Sequence, residues 1–220
     1  MIKILPSILA LDSLEFTKQL TNLSVLDEID IDISTHPFTE KSTLNLDESL
    51  NLLQEWKKKI TFHLMEENPS KSISSIIKSD LIIERIYIHQ ESRIKFLEDL
   101  DKNTLNKLGI TIKRESWLKD VEFYKQFASV QLMTGSFGAQ GNDFDEDALS
   151  KSLELRELGY EGEIGIDGGV NLRSAKIIKN YPINRVSVGS FFSKSKNVEL
   201  DKMKLDLALN MQTEEDYQIT

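Results

Sequence analysis

The sequence contains no cysteine. Disulfides, CxxC redox chemistry, thiolate metal sites and a cysteine nucleophile are therefore excluded, and the absence suits a reducing compartment. Proline (4) and glycine (10) are sparse over 220 residues, so nothing reads as a linker, and there is neither a repeat of helical-array length nor a low-complexity run. One domain over residues 1–220 is expected, with a frayed tail from about 212. No apolar run approaches the roughly 20 residues of a membrane span. The apolar start MIKILPSILALD is broken by Pro6 and lacks a small-residue cleavage pattern, so it reads as a first strand. Positive charge is also in deficit: 27 Lys and Arg against 36 Asp and Glu leave a net charge of −9, whereas binding a phosphate backbone needs a clustered cationic excess. The expectation is a soluble, cytoplasmic protein with no nucleic-acid and no membrane partner.

What is present is alternation. Short apolar segments at Ile2–Ile8, Glu28–Ser34, Ile60–Met65, Arg85–His89, Gly109–Lys113, Ser129–Thr134, Glu163–Asp167 and Arg185–Gly189 read as strands, several of them β-branched runs suited to parallel strands buried on both faces. Between and after them, Leu14–Leu23, Leu46–Lys58, Ser70–Ser79, Ser92–Leu108, Trp117–Phe127, Glu146–Leu158, Leu172–Asn180 and Val198–Met211 space apolar residues at helical intervals, with Asn171 and Asn68-Pro69 as helix starts. Eight strands alternating with eight helices predict a TIM (β/α)8 barrel. A doubly wound sheet is the alternative, but its GxGxxG first turn is missing. In a barrel, reacting groups belong at the carboxyl ends of the strands, with phosphate often held after strands seven and eight.

The residues at those ends are unusual for strands. In Glu28–Ser34, EIDIDIS, Asp30 and Asp32 share one face and Ile29, Ile31 and Ile33 the other. Aspartate is depleted in strand interiors, and a closed barrel has no solvent-facing edge to accommodate it. His63 ends the third strand at a similar level, Ser7 the first, and Asp167 the seventh, directly before Gly168 and Gly169, whose bare backbone lets an anion approach. Carboxylates converging on one cavity repel unless one is protonated or a cation lies among them. Asp30, Asp32, His63 and Asp167 form a set that suits a divalent metal of the harder kind, Mn2+, Mg2+ or Fe2+, with Zn2+ also compatible. Two carboxylates flanking a metal-bound substrate are what removing a proton from one face of a carbon and returning one to the other requires. Trp56 and Trp117 read as helix packing, His36 as a loop residue, and His89 as a barrel-interior group beside a ligand.

Seven segments in order, PSIL at Pro6–Leu9, the acidic second strand, FHLMEENP at Phe62–Pro69, IHQES at Ile88–Ser92, LMTGSFGAQ at Leu132–Gln140, IDGGVN at Ile166–Asn171 and SVGSFF at Ser187–Phe192, resemble the ribulose-phosphate 3-epimerase family. The resemblance implies a TIM barrel that interconverts epimeric ketose phosphates by 1,1-proton transfer through an enediolate. It further implies Asp32 and Asp167 as the acid/base pair and as metal ligands with His63, Ser7 at the substrate, and Met65 and Met133 lining the cavity. Backbone near Gly138, Ala139, Gly168, Gly169, Gly189 and Ser190 would hold the phosphate, and a homo-oligomer is plausible by the same resemblance. The chain departs from the pattern in four places. Asp30 stands where the family has a ligand histidine, Ser34–Thr39 where it has a methionine and an Asp-Gly turn, Lys113-Arg114 where it has Asn-Pro, and the loop at Gly135–Gln140 is shorter. These departures keep a second expectation open, a barrel with impaired catalysis that binds a sugar phosphate as a sensor or regulator.

Overall fold

A computed structural model describes residues 1–135 and 144–211. Eight parallel strands close in sequence order into a barrel: β1 (Lys3–Ile8), β2 (Glu28–Ser34), β3 (Lys59–Met65), β4 (Ile82–His89), β5 (Leu108–Ile112), β6 (Ser129–Met133), β7 (Glu163–Asp167) and β8 (Arg185–Val188). Around them run α1 (Ser13–Asn22), α2 (Leu46–Leu52), α3 (Ser70–Lys78), α4 (Lys102–Leu105), α5 (Val121–Tyr124), α6 (Ser150–Glu157), α7 (Leu172–Ile178), α8 (Ser190–Ser193) and α9 (Val198–Asn210).

The strands are buried on both faces, as expected, but only one face is apolar. Ile29, Ile31 and Ile33 of β2, Phe62 and Leu64 of β3, Ile110 and Ile112 of β5, Ile164 and Ile166 of β7 and Val186 of β8 join one core with Phe16, Ile73, Ile76, Leu155, Ala175, Ile178 and Leu205 from the helices. Because side chains alternate along a strand, the intervening residues Asp30, Asp32, Thr61, His63, Thr111, Ser129, Gln131, Arg185 and Ser187 turn the other way, into the barrel, and are buried there as well. Branched aliphatic residues usually fill a barrel's interior. Here they hold the helices on while most inward positions are polar.

Helices are shorter than the periodicity predicts, and their caps explain why. The expected helix Ser92–Leu108 is instead a 3-10 turn at Lys95–Asp99 followed by α4, which starts where Asp101 Oδ1 accepts from Asn103 N and Thr104 N. The expected helix Trp117–Phe127 shrinks to α5, capped by Asp120. Trp117 is consequently 90% exposed in the preceding loop and is not a packing residue, whereas Trp56, just beyond α2, is buried. Asn171 does cap α7, in a full capping box with Ser174. The short α8 was not anticipated. No helix among the described residues is long and apolar enough to cross a membrane, and the tail from 212 lies outside them.

Candidate active site

Register carries the distant motifs to one place. Asp32 on β2 is level with His63 on β3, while Asp167 on β7 is level with Met133 on β6 and Ser187 on β8. His63 Nδ1 lies 3.1 Å from Asp32 Oδ1 and 3.1 Å from Asp167 Oδ2, so one imidazole nitrogen is flanked by two carboxylates, one from the neighbouring strand and one from across the barrel. The opposite nitrogen, Nε2, lies 2.9 Å from His89 Nε2 on β4, and the two rings are stacked. His89 Nδ1 in turn faces Glu91 Oε2 at 3.5 Å, and Glu91 accepts from Ser116 Oγ.

Electrostatics fix the protons of this chain when no metal is bound. Burial alone would lower the pKa of His63, but its hydrogen bonds to Asp167 and Asp32 and their charges override it and raise the imidazole to about 10. His63 is then an imidazolium that donates from Nδ1 to the carboxylates and from Nε2 to His89. Burial drives His89 the other way, to about 3, with the His63 charge acting in the same sense. A neutral His89 with its hydrogen on Nδ1, toward Glu91, has the Nε2 lone pair free to accept. Asp32 is pushed up to about 6 by burial, against the hydrogen bonds from His63 and Ser7. That bond places Ser7, itself buried at the end of β1, on the Asp32 carboxylate.

Of the four expected metal ligands, three come together. Ligand atoms of Asp32, His63 and Asp167 lie within 4.8 Å of one another, the group among the described residues able to hold an ion here. Two carboxylates and one imidazole are a donor set that fits a divalent metal, and the repulsion between Asp32 and Asp167 is what such an ion would relieve. Asp30 stands outside this group. Its Cα is level with Ser7 and Thr61, one inward position deeper than Asp32, and its Oδ2 accepts from Ser187 Oγ. A carboxylate also reaches less far from its backbone than the imidazole that the family resemblance puts at this position. Burial, followed by the charge of Asp32, raises Asp30 to about 7, and Arg185 opposes the rise.

The remaining expected residues divide. Met65 and Met133 end β3 and β6, buried but absent from the helix-side core, and so face the cavity. Gly168 and Gly169 adopt positive φ (111° and 69°) because the chain packs there without room for a side chain. A Cβ on Gly168 would meet Gly135 N at 2.4 Å. Thr134 N and Oγ1 pin this turn through Asp167 O and Gly168 O. Gly189 and Ser190 follow β8, beside that turn, with Ser190 opening α8. Gly138 and Ala139 lie outside the described residues. Lys113 sits at the mouth, 4.4 Å over the ring of Phe38, whose edge meets His89, whereas Arg114 pairs with Asp145 at the surface. Sequence reasoning missed Arg185 and Ser187. Their signal was the same one that exposed Asp30 and Asp32, a polar residue at every second position of an apolar strand, RVSV.

The sequence profile of the Ribulose-phosphate 3 epimerase family matches residues 3–192. Ribulose-phosphate 3-epimerase from Helicobacter pylori is 25% identical over 205 residues, which cover 90% of this chain and 94% of that protein. Among solved structures, KGPDC from Streptococcus mutans superposes with a TM-score of 0.66 at 11% identity, over 95% of this chain and 97% of its own. The 3-hexulose-6-phosphate synthase from Salmonella typhimurium gives 0.65 at 13% identity, over 94% and 98%. At these identities the two structures share the fold.

Proposed function

The chain belongs to the ribulose-phosphate 3-epimerase family, and from that premise we propose that it is a metal-assisted epimerase acting at C3 of a phosphorylated ketose. The observation that carries this reading is the pair Asp32 and Asp167, each 3.1 Å from one atom of His63 and therefore facing each other across a single small volume. A sugar carbon held between them presents one face to each carboxyl group.

In the forward direction one aspartate, ionised, takes the proton from C3, and the C–H electron pair moves into the adjacent C2 carbonyl to give an enediolate. The other aspartate, protonated, delivers its own proton to the opposite face of C3 as the carbonyl re-forms. Each turnover exchanges the two roles, so the reverse reaction uses the same pair. In the metal-free site burial raises Asp32 to about 6, nearer neutrality than an ordinary carboxyl group. A divalent ion held by Asp32, His63 and Asp167 would supply Lewis acidity toward the substrate's oxygens and offset the charge that develops on them. His63 would offer Nδ1 to that ion as a neutral ligand while Nε2–H donates to His89, which fixes the ring's orientation. Met65 and Met133 wall the cavity with apolar surface and keep bulk water from the carbanion-like carbon. The phosphate would rest on the backbone after β7 and β8, at Gly168, Gly169, Gly189 and Ser190.

One observation favours a second reading. Asp30 lies outside the ligand group, so a barrel that binds the phosphorylated ketose as a sensor, without turning it over, draws support from an incomplete metal shell. A single experiment separates the two. Protein supplied with Mn2+ is incubated in D2O with a pentulose 5-phosphate or a hexulose 6-phosphate, and deuterium at C3 is followed by NMR. Incorporation that disappears in Asp167→Asn supports the epimerase. Saturable binding of the same sugar phosphates with no incorporation would leave the sensor reading standing.

A further inference from the structure

This inference deepens the metal-assisted reading and rests on it. We infer that Asp30 is not a ligand but a fixed counter-charge beneath the metal centre, clamped by Ser187 and balanced by Arg185, so that the ion has three protein ligands, Asp32, His63 and Asp167.

Three observations on separate strands lead there. First, one oxygen of Asp30 is engaged: Ser187 Oγ donates to Oδ2 from β8. Swinging that carboxylate toward the ion would leave the buried hydroxyl of Ser187 without its acceptor. Second, Asp30 is one inward position deeper than Asp32 on β2, and its side chain is too short to climb back to the level at which Asp32, His63 and Asp167 meet.

Third, the lumen contains a cation with no role in the proposed chemistry. Arg185 is buried, its guanidinium lies 4.7 Å over the ring of Tyr87, and Nη1 is 3.7 Å from Glu163 Oε1. It fits because Gly165, its neighbour on β7, has no side chain. A Cβ there would meet Arg185 Cγ at 2.8 Å and Cδ at 3.2 Å. Arg185 occupies the inward position next to Ser187 on β8, the strand whose hydroxyl holds Asp30. Asp30, Asp32 and Asp167 bring three carboxylates to the lumen, which a divalent ion and the guanidinium of Arg185, shared with Glu163, would offset. Asp30, Gly165, Arg185 and Ser187 act as one unit: an acid too short to ligate, a hydroxyl that holds it, a cation that offsets it and a glycine that admits the cation.

Co2+ serves as the probe because its visible bands report the number and type of ligands, independently of any turnover. The full chain, stripped with chelator, is titrated with Co2+ as wild type and as Asp30→Asn, Asp32→Asn and Ser187→Ala. Asp30→Asn and Ser187→Ala are expected to keep one Co2+ per chain and the wild-type band positions, with dissociation constants within about tenfold of wild type. Asp32→Asn, which removes a ligand, loses stoichiometric uptake. Shifted bands or lost uptake in Asp30→Asn would overturn the inference while leaving the metal-assisted reading intact. A wild type that takes up no Co2+, Mn2+ or Zn2+ would sink both. If Asp30→Asn does not fold, the double variant Asp30→Asn with Arg185→Met, which removes both buried charges, carries the same spectral test. The counter-charge role has its own readout: Arg185→Met should lower the melting temperature less in an Asp30→Asn background than in wild type, and equal losses would refute it.

Discussion

His63 makes the metal-free protein sensitive to alkali, and the size of the effect follows from the site. Its ordinary value of 6.5 is raised to about 10 by Asp167 and Asp32, and at about 1.4 kcal/mol per tenfold in affinity this corresponds to on the order of 5 kcal/mol. That figure is a ceiling, because the same interactions are shared with the two carboxylates. The sign follows from a folded value above the unfolded one. The stabilisation is fully present below about pH 6.5 and is lost as the pH climbs through about 10. Asp32 and Asp30, raised to about 6 and about 7, change stability mainly between pH 4 and 7. The interval from 7 to 10 therefore isolates the histidine. Urea unfolding in the presence of chelator, read by the fluorescence of buried Trp56, should show wild type ahead of His63→Gln by several kcal/mol near pH 7. That lead should shrink toward zero at pH 10. A difference between the two proteins that does not vary with pH would refute the assignment of an imidazolium between two carboxylates.

Three further outcomes are expected. Gly109→Ala should destabilise the protein by about 1–3 kcal/mol in urea titration, because the new methyl would lie 2.3 Å from Cε1 of Tyr87, a ring anchored through its hydroxyl to Ser129; an unchanged midpoint would contradict that packing. Asn171→Ala should cost about 1 kcal/mol by the same assay, through loss of the acceptor for Arg173 N and Ser174 N at the start of α7. A high-resolution crystal structure should show ordered waters inside the barrel, since Thr61 Oγ1, Thr111 Oγ1 and both amide ends of Gln131 are buried with no protein partner. A dry lumen would show that the polar interior is satisfied in some other way.

Much of the site was legible because strands write their two faces alternately. EIDIDIS announced two inward aspartates, IDGG an aspartate at a strand end before a turn only glycine can make, and FHLM a histidine between apolar neighbours. Helix ends were less legible. Periodicity extended Ser92–Leu108 and Trp117–Phe127 through Asp101 and Asp120, whose side chains in fact cap short helices from the middle of those stretches. Trp117 was misplaced for the same reason, since without a helix beneath it nothing buries its ring.

By itself, the order of apolar and polar segments determined the parallel barrel and the end of it where chemistry is placed, because hydrophobic periodicity is a local property that each strand and helix carries along its own length. The tertiary structure alone decided which of the inward acids converge. Asp30 and Asp32 are equivalent on paper, two residues apart on one face. Only the stagger of β2 against its neighbours, the hydroxyl of Ser187 on β8 and the guanidinium that Gly165 admits separate the carboxylate beside His63 from the one held a level below.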